Sequence, residues 1–389
     1  MGKQRIITRT VLLLSLVSLF TDMASEMLYP VMPLYLKEIG FSVASIGILE
    51  GIAEAVAGLS KGYFGTWSDN IGKRMPFVSW GYALSAISKP LMAIFTYPWW
   101  IFFVRAIDRT GKGIRTGARD AVLSDESTPE TKARVFGFHR ALDTCGAMIG
   151  PSLALLFLYF SPTQYRTLFI WALIPGIAAV IITLLIKGKI NTSTSKKKFP
   201  SFKSFYQYWI KSPAVYKKLT GALLVFALFN SSDTLLLVRM KETGTSDTAL
   251  IGVYIFYNAV YALLAYPLGL LADKLGLKKI FITGLVLFSF VYAGMGIGGN
   301  TYWYLLLFLL YGAYAAATEG ISKAWIAKVA AKENVATAMG TYSGFQSIAA
   351  LLASSIAGIV WFNFGAMTAF MSSSIITLLV VIYIYLKIE

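Results

Sequence analysis

Twelve apolar segments long enough to cross a lipid bilayer succeed one another along this chain, at residues 10–38, 43–68, 76–96, 99–121, 134–160 and 166–187, then at 219–241, 247–272, 279–298, 302–327, 338–361 and 366–387. Inside a bilayer every backbone N–H and C=O must be satisfied within the protein, so segments of about 20 apolar residues can only be helices. The composition agrees: 57% of the 389 residues are hydrophobic and only 14% charged, against about a quarter charged in a soluble domain. With about 30 residues consumed per span and loop, no length remains for a water-soluble catalytic domain. The expected fold is an all-α membrane protein of twelve transmembrane helices. The first span is expected to be retained rather than cleaved as a signal, because it is long and carries Asp22 and Glu26.

Charge gives the orientation. The formal net charge is +16, from 35 Lys and Arg against 19 Asp and Glu. In so apolar a chain the excess reads as loops held at an anionic cytoplasmic leaflet, not as a nucleic-acid surface. Lysines and arginines collect at Lys3, Arg5 and Arg9, at Lys73 and Arg74, at Lys274, Lys278 and Lys279, at Lys328 and Lys332, and at Lys387, all on one side of a twelve-span chain. The other side holds little beyond Lys37, Arg166 and Lys241. Nine lysines and no acid lie between Lys187 and Lys218. Residues 188–218 therefore read as a basic cytoplasmic linker, with both termini cytoplasmic. One cysteine, Cys145, and one histidine, His139, make no metal or haem cluster, so no cofactor and no metal are expected.

The chain also repeats. Lys37-Glu38-Ile39-Gly40 returns as Lys241-Glu242-Thr243-Gly244, and Gly65-x-x-x-Asp69-x-x-Gly72-Lys73 as Gly269-x-x-x-Asp273-x-x-Gly276-x-Lys278, both 204 positions on. Glu130 and Gly137 likewise match Glu333 and Gly340 at an offset of 203. Residues 1–187 and 219–389 are thus expected to be two pseudo-symmetric six-helix halves, an architecture whose substrate sites lie near the midplane between halves.

Gly65-Thr-Trp-Ser-Asp69-Asn-Ile-Gly72-Lys73-Arg74, in the loop after the second span, resembles the signature loop of the major facilitator superfamily, with a weaker copy at Gly269 to Lys279. Gly137, Gly146, Gly150 and Pro151 have the spacing of that family's antiporter motif, although Ala154 and Leu155 stand where its later glycine pair belongs. Arg105-Ala-Ile-Asp108-Arg109-Thr-Gly111 is similar to the family's proton-linked arginine motif, with Arg109 replacing a glycine. Asp22-Met-Ala-Ser-Glu26-Met-x-Tyr29-Pro30, Asp108 to Arg115 with Arg119-Asp120, and Thr318-Glu319-Gly320 look like a bacterial subgroup of that superfamily. The resemblance implies an alternating-access transporter of the bacterial inner membrane. In it Gly65, Asp69, Gly72, Lys73, Arg74 and Asp273 latch the cytoplasmic side, while Gly146, Gly150 and Pro151 shape the gate with Arg115.

A charge at the bilayer centre costs at least about 2.5 kcal/mol and should face a cavity or a partner. Counting about 1.5 Å per residue puts Asp22, Asp108, Arg109 and Asp233 near the midplane, with Glu26 one turn outward from Asp22. Proton coupling is expected at Asp22, Glu26, Asp108 and Asp233. The family resemblance makes spans 1, 4, 7 and 10 the lining of the cavity. The substrate is then expected at Asp22, Glu26, Arg105, Arg109, Arg140, Asp143, Asn230, Asp233, Tyr257, Asn258, Tyr311 and Glu319. Arg105, Asp108, Arg140 and Asp143 are equally open to a purely structural role as one ion network, and Glu50, Glu54, Lys61 and Lys89 to either role. A charged first half and a tyrosine-rich second half suit an amphipathic or zwitterionic organic molecule, and the resemblance of Gly146-x-x-x-Gly150-Pro151 to the antiporter motif implies its export by proton antiport. The alternative is proton-coupled uptake of an anionic nutrient or a metal chelate such as a siderophore. Gly111-Lys-Gly-Ile-Arg115 lacks the preceding strand and the Gly-Lys-Ser/Thr spacing of a phosphate loop. No enzyme activity is expected; the partners are substrate, protons and lipid, and the chain is expected to act as a monomer without nucleic acid.

Overall fold

The computed structural model describes residues 6–29, 31–41, 43–161, 164–188 and 204–388. Among them every regular element is helical. The helices are α1 (Arg9–Leu28), α2 (Met32–Glu38), α3 (Val43–Ile71), α4 (Met75–Ile94), α5 (Pro98–Asp125), α6 (Lys132–Phe160), α7 (Tyr165–Trp171), α8 (Leu173–Leu184), α9 (Ser204–Lys211), α10 (Ala214–Ala227), α11 (Asp233–Lys241), α12 (Asp247–Leu275), α13 (Leu277–Ile297), α14 (Thr301–Val329) and α15 (Val335–Lys387). Lys3, Arg5, Pro30 and most of the lysine-rich linker lie outside the described residues.

Several expected spans are interrupted. The first divides into α1 and α2, with Pro30, which has no N–H to donate, in the sequence between them. The sixth divides at Ala172, three residues before Pro175. The seventh stops at Ala227 and restarts at Asp233, where the polar run Asn230-Ser231-Ser232 replaces helix turns. The eleventh and twelfth spans are continuous in α15 except at Gly365, whose φ of 86° turns the chain between them. Seven of the described helical segments are long and apolar enough to cross a membrane: Arg9–Leu28, Lys132–Phe160, Tyr165–Leu184, Gly252–Leu275, Leu277–Ile297, Thr301–Val329 and Lys332–Lys387. α5 carries too many charges for that criterion, and α10 and α11, at 14 and 9 residues, are too short separately.

Hydroxyl caps fix several starts: Thr8 accepts from Val11 N at 3.2 Å and Ser246 from Ala249 N at 3.3 Å. The chain packs into two compact units. One contains Met1–Thr128, Leu142–Lys211 and Ala330–Ser347; the other contains Pro129–Ala141, Ser212–Val329 and Ile348–Glu389. In the first unit α5 lies against α3 and α4, and α1 against α8; in the second α14 lies against α12 and α13. The glycines of Gly111-Lys-Gly-Ile-Arg115 serve that packing. A Cβ on Gly111 would meet Gly81 O at 2.7 Å and one on Gly113 would meet Ser60 Cβ at 2.2 Å. In the same unit Ala24, Met27, Tyr35, Leu36, Ile101 and Phe169 form part of one buried apolar cluster.

Candidate functional site

In the first unit, α6 crosses α1 at glycines. A Cβ on Gly146 would stand 2.2 Å from Leu19 O, and one on Gly150 2.5 Å from Met23 O. This closeness sets Asp143 of α6 beside Asp22 of α1, near enough for the two carboxyl groups to act on one another. Glu26, one turn along α1, and Lys112 of α5 are the other charges acting on Asp22. Arg105 and Arg109, also among the expected substrate residues, act on a different acid. Arg105 Nη1 lies 3.5 Å from Oδ2 of Asp108, and Arg109 acts on that carboxylate electrostatically.

Asp108 is fully occupied. Its Oδ1 accepts from Ser85 Oγ at 2.6 Å and Ser88 Oγ at 3.3 Å, with Lys89 Nζ at 3.6 Å. Lys89, 4% exposed, also donates to Ser85 O at 2.8 Å. This network joins α4 to α5 and uses Arg105 and Asp108 from the expected four-residue group, but neither Arg140 nor Asp143. The side chains of Glu50, Glu54 and Lys37 fall outside the described residues; Lys61 donates to Ser347 Oγ at 2.7 Å. Further along α5, Arg115 stacks on Tyr82, 4.5 Å from the ring centroid. Arg119 binds Asp120 Oδ1 through Nε at 3.0 Å and Nη2 at 2.9 Å, and Ser18 Oγ through Nη1 at 3.2 Å.

In the second unit the break between α10 and α11 organises the polar groups. Tyr311 Oη donates to Asp233 Oδ1 at 2.7 Å, and the Tyr257 hydroxyl also bonds Asp233. Asn230 Nδ2 donates to Tyr314 Oη at 3.0 Å, and Tyr292 Oη bonds Ser231 through both its hydroxyl, at 3.1 Å, and its carbonyl, at 3.3 Å. The rings of Tyr257 and Tyr311 lie 5.1 Å apart, those of Tyr311 and Tyr314 5.2 Å apart. Arg140 donates to Tyr261 Oη and pairs with Glu319 at 3.3 Å. Asn258 bends back to Tyr254 O at 3.0 Å. Tyr292, Ser231 and Lys112 were not among the expected site residues. The signal for Ser231 was present, as a run of polar residues inside an apolar span.

The repeated loop makes the same contact twice. Asp69 Oδ2 accepts from Thr337 N at 2.7 Å and Thr337 Oγ1 at 2.9 Å, at the N-terminus of α15. Asp273 accepts from Ala133 N and Arg134 N, both at 3.0 Å, at the N-terminus of α6. Each carboxylate satisfies N–H groups that a helix start leaves open. The glycines match as well: a Cβ on Gly65 would meet Ala336 O at 2.5 Å and one on Gly269 would meet Ala133 O at 2.6 Å. Gly72 and Gly276, at φ 71° and 101°, take the reversal that L side chains avoid. Arg74 ties Asp69 at 3.2 Å to Asp125. The linker helix α9 lies against α3, where burial, with Asp69 nearby, pushes the Tyr208 hydroxyl up to about 12.

Known proteins resemble this chain in sequence and in fold. The family described as Major Facilitator Superfamily matches residues 14–255 and 219–389. An uncharacterized MFS-type transporter of Methanocaldococcus jannaschii is 31% identical over 361 residues, 92% of this chain and 89% of that one. The human organic anion transporter MFSD10 superposes with a TM-score of 0.84 at 16% identity, covering 98% of this chain and 100% of the other. The proton:xylose symporter XylE superposes at 0.75 with 13% identity, over 98% of this chain and 95% of that one.

Proposed function

Since the chain belongs to the major facilitator superfamily, an integral membrane family of transporters and not of enzymes, we propose that it moves a small organic molecule by proton-coupled alternating access. The observation that carries this reading is the Asp22–Asp143 carboxyl pair, two neighbouring acids on two helices whose approach depends on Gly146 and Gly150. Moving α1 relative to α6 would separate the acids, and separated carboxylates release what a close pair retains. XylE, a proton symporter by description, has the same fold. The glycine spacing of α6 favours export by antiport. In full, the reading is of twelve spans in two six-helix halves, a monomer in a bacterial inner membrane with both termini inside. The test is the purified chain in liposomes with a pH gradient and an interior pH dye, challenged with a metabolite and drug mixture. Compound-dependent proton movement is expected; compound flux with no proton movement at any pH gradient overturns coupling.

Two predictions follow from this placement. Cysteines introduced into residues 188–203 are expected to resist an impermeant maleimide added to intact cells and to react after permeabilisation. Labelling from outside would reverse the topology. Asp69→Asn removes the charge that caps α15, and charge-assisted bonds of this kind contribute about 1.5–3 kcal/mol. Turnover is expected to fall about tenfold or more, with substrate affinity held within a few-fold; lost binding at unchanged turnover would remove Asp69 from the latch.

A further inference from the structure

The break in the seventh span has a chemistry of its own. Between Ala227 and Asp233 the helix is replaced by Asn230-Ser231-Ser232, and interrupted helices place polar groups at membrane depth where they serve a bound solute. The tyrosine hydroxyls of α12, α13 and α14 hold the segment in place, leaving two acceptors. Asp233 is half-buried, its carboxylate met by the hydroxyls of Tyr311, at 2.7 Å, and Tyr257 and by its own backbone N–H, with no cation paired to it among the ion pairs of the described residues. Asn230 Oδ1 is buried with no hydrogen-bond donor in reach, and an acceptor in that position costs about 1–3 kcal/mol until a donor arrives. The neighbouring acid, Glu319, adds negative charge to Asp233's surroundings and is itself engaged by Arg140.

We propose that the Asn230–Asp233 break, with the rings of Tyr257 and Tyr311, seats a protonated amine of the transported molecule. A bare Na⁺ or Ca²⁺ would require some six oxygen ligands. Here the acceptors left open are one carboxylate and one amide oxygen beside ring faces, the Ser231 and Tyr292 oxygens being bonded to one another and the Tyr311 hydroxyl to Asp233, and no group of three or more acidic, histidine or cysteine ligands occurs among the described residues. Tyrosine faces beside a carboxylate attract an alkylammonium, and the open Asn230 oxygen selects one that still bears an N–H. A quaternary ammonium would leave that oxygen unsatisfied.

This inference rests on the transport reading, so its test uses binding alone. Purified full-length protein in nanodiscs is titrated by isothermal calorimetry with 2-phenylethylammonium, its N-trimethyl derivative, 3-phenylpropan-1-ol and 3-phenylpropanoate. The primary ammonium is expected to bind and the trimethyl form about tenfold more weakly, as the loss of one hydrogen bond to an ion implies; the alcohol and the carboxylate should give no heat. Asp233→Asn should weaken the ammonium about tenfold or more, Tyr257→Leu several-fold with partial recovery in Tyr257→Phe, and Asn230→Ala should erase the preference over the trimethyl form. Equal binding by wild type and Asp233→Asn, preference for the carboxylate, or no binding of the ammonium by a protein of unchanged melting temperature each overturns the assignment. Compound-driven proton movement in liposomes, measured separately, would then still support transport, with another substrate class.

Discussion

Asp22→Asn is expected to abolish uphill transport while leaving exchange of substrate down its own gradient. One pH unit across the membrane is worth about 1.4 kcal/mol per proton, an accumulation of about tenfold for one proton per turn. The variant should show none of it. Asparagine keeps the size and polarity of Asp22 but carries no exchangeable charge, so the fold around Gly146 and Gly150 remains while the proton site is lost. Asp143→Asn should do the same, because the proton belongs to the pair and not to either acid. Counterflow at the normal rate alongside a vanished proton signal is the expected result in both. Normal uphill accumulation by Asp22→Asn would place coupling elsewhere, at Asp108 or Asp233.

A second large effect is expected at Gly146→Val. Its Cβ would start 2.2 Å from Leu19 O and 2.9 Å from Met23 N, so α1 and α6 must move apart, and overpacking of this sort costs about 1–3 kcal/mol. The larger consequence is chemical, since the same movement parts Asp22 from Asp143. Proton-driven transport should fall at least about 100-fold, with a lowered melting temperature. Gly221→Ala, where nothing stands within 4 Å, is the control, and should stay within about 0.5 kcal/mol with transport unchanged. Transport by Gly146→Val within a few-fold of wild type would show that the close crossing is not required.

What was legible in the sequence was what the chain says about itself locally or says twice. Asp69 and Asp273 occur in matched loops, and each caps a helix N-terminus as its carboxylate and the adjoining glycines suggest. Gly72 and Gly276 share a positive φ for the same reason. Pairings between helices were not legible, because they depend on how each helix is rotated about its axis. Arg140 and Asp143 are three residues apart on α6, yet one joins Tyr261 and Glu319 in the second unit and the other joins Asp22 in the first. Asp143, the acid beside Asp22, belongs to another helix, and nothing in the pattern of either helix pairs the two. Asn230, Ser231 and Ser232 were visible as polar residues in an apolar span, but a count of apolar length continues a helix straight through them.

The composition of the compact units also constrains how the protein is made. The unit that contains Asp69 is not finished until Ala330–Ser347 joins it, because Thr337 supplies the groups that satisfy that buried carboxylate. At about 5–20 residues per second, a ribosome that has released residue 128 needs roughly 10–40 s more to reach residue 330. Throughout that interval the faces of Gly65 and Gly117, which later receive Ala336, lie uncovered in the nascent chain. An insertase or chaperone that shields this crevice, and a protease that recognises it when synthesis stalls, would both act on the same exposed stripe, making biogenesis more sensitive to truncation before residue 347 than any boundary at the linker suggests.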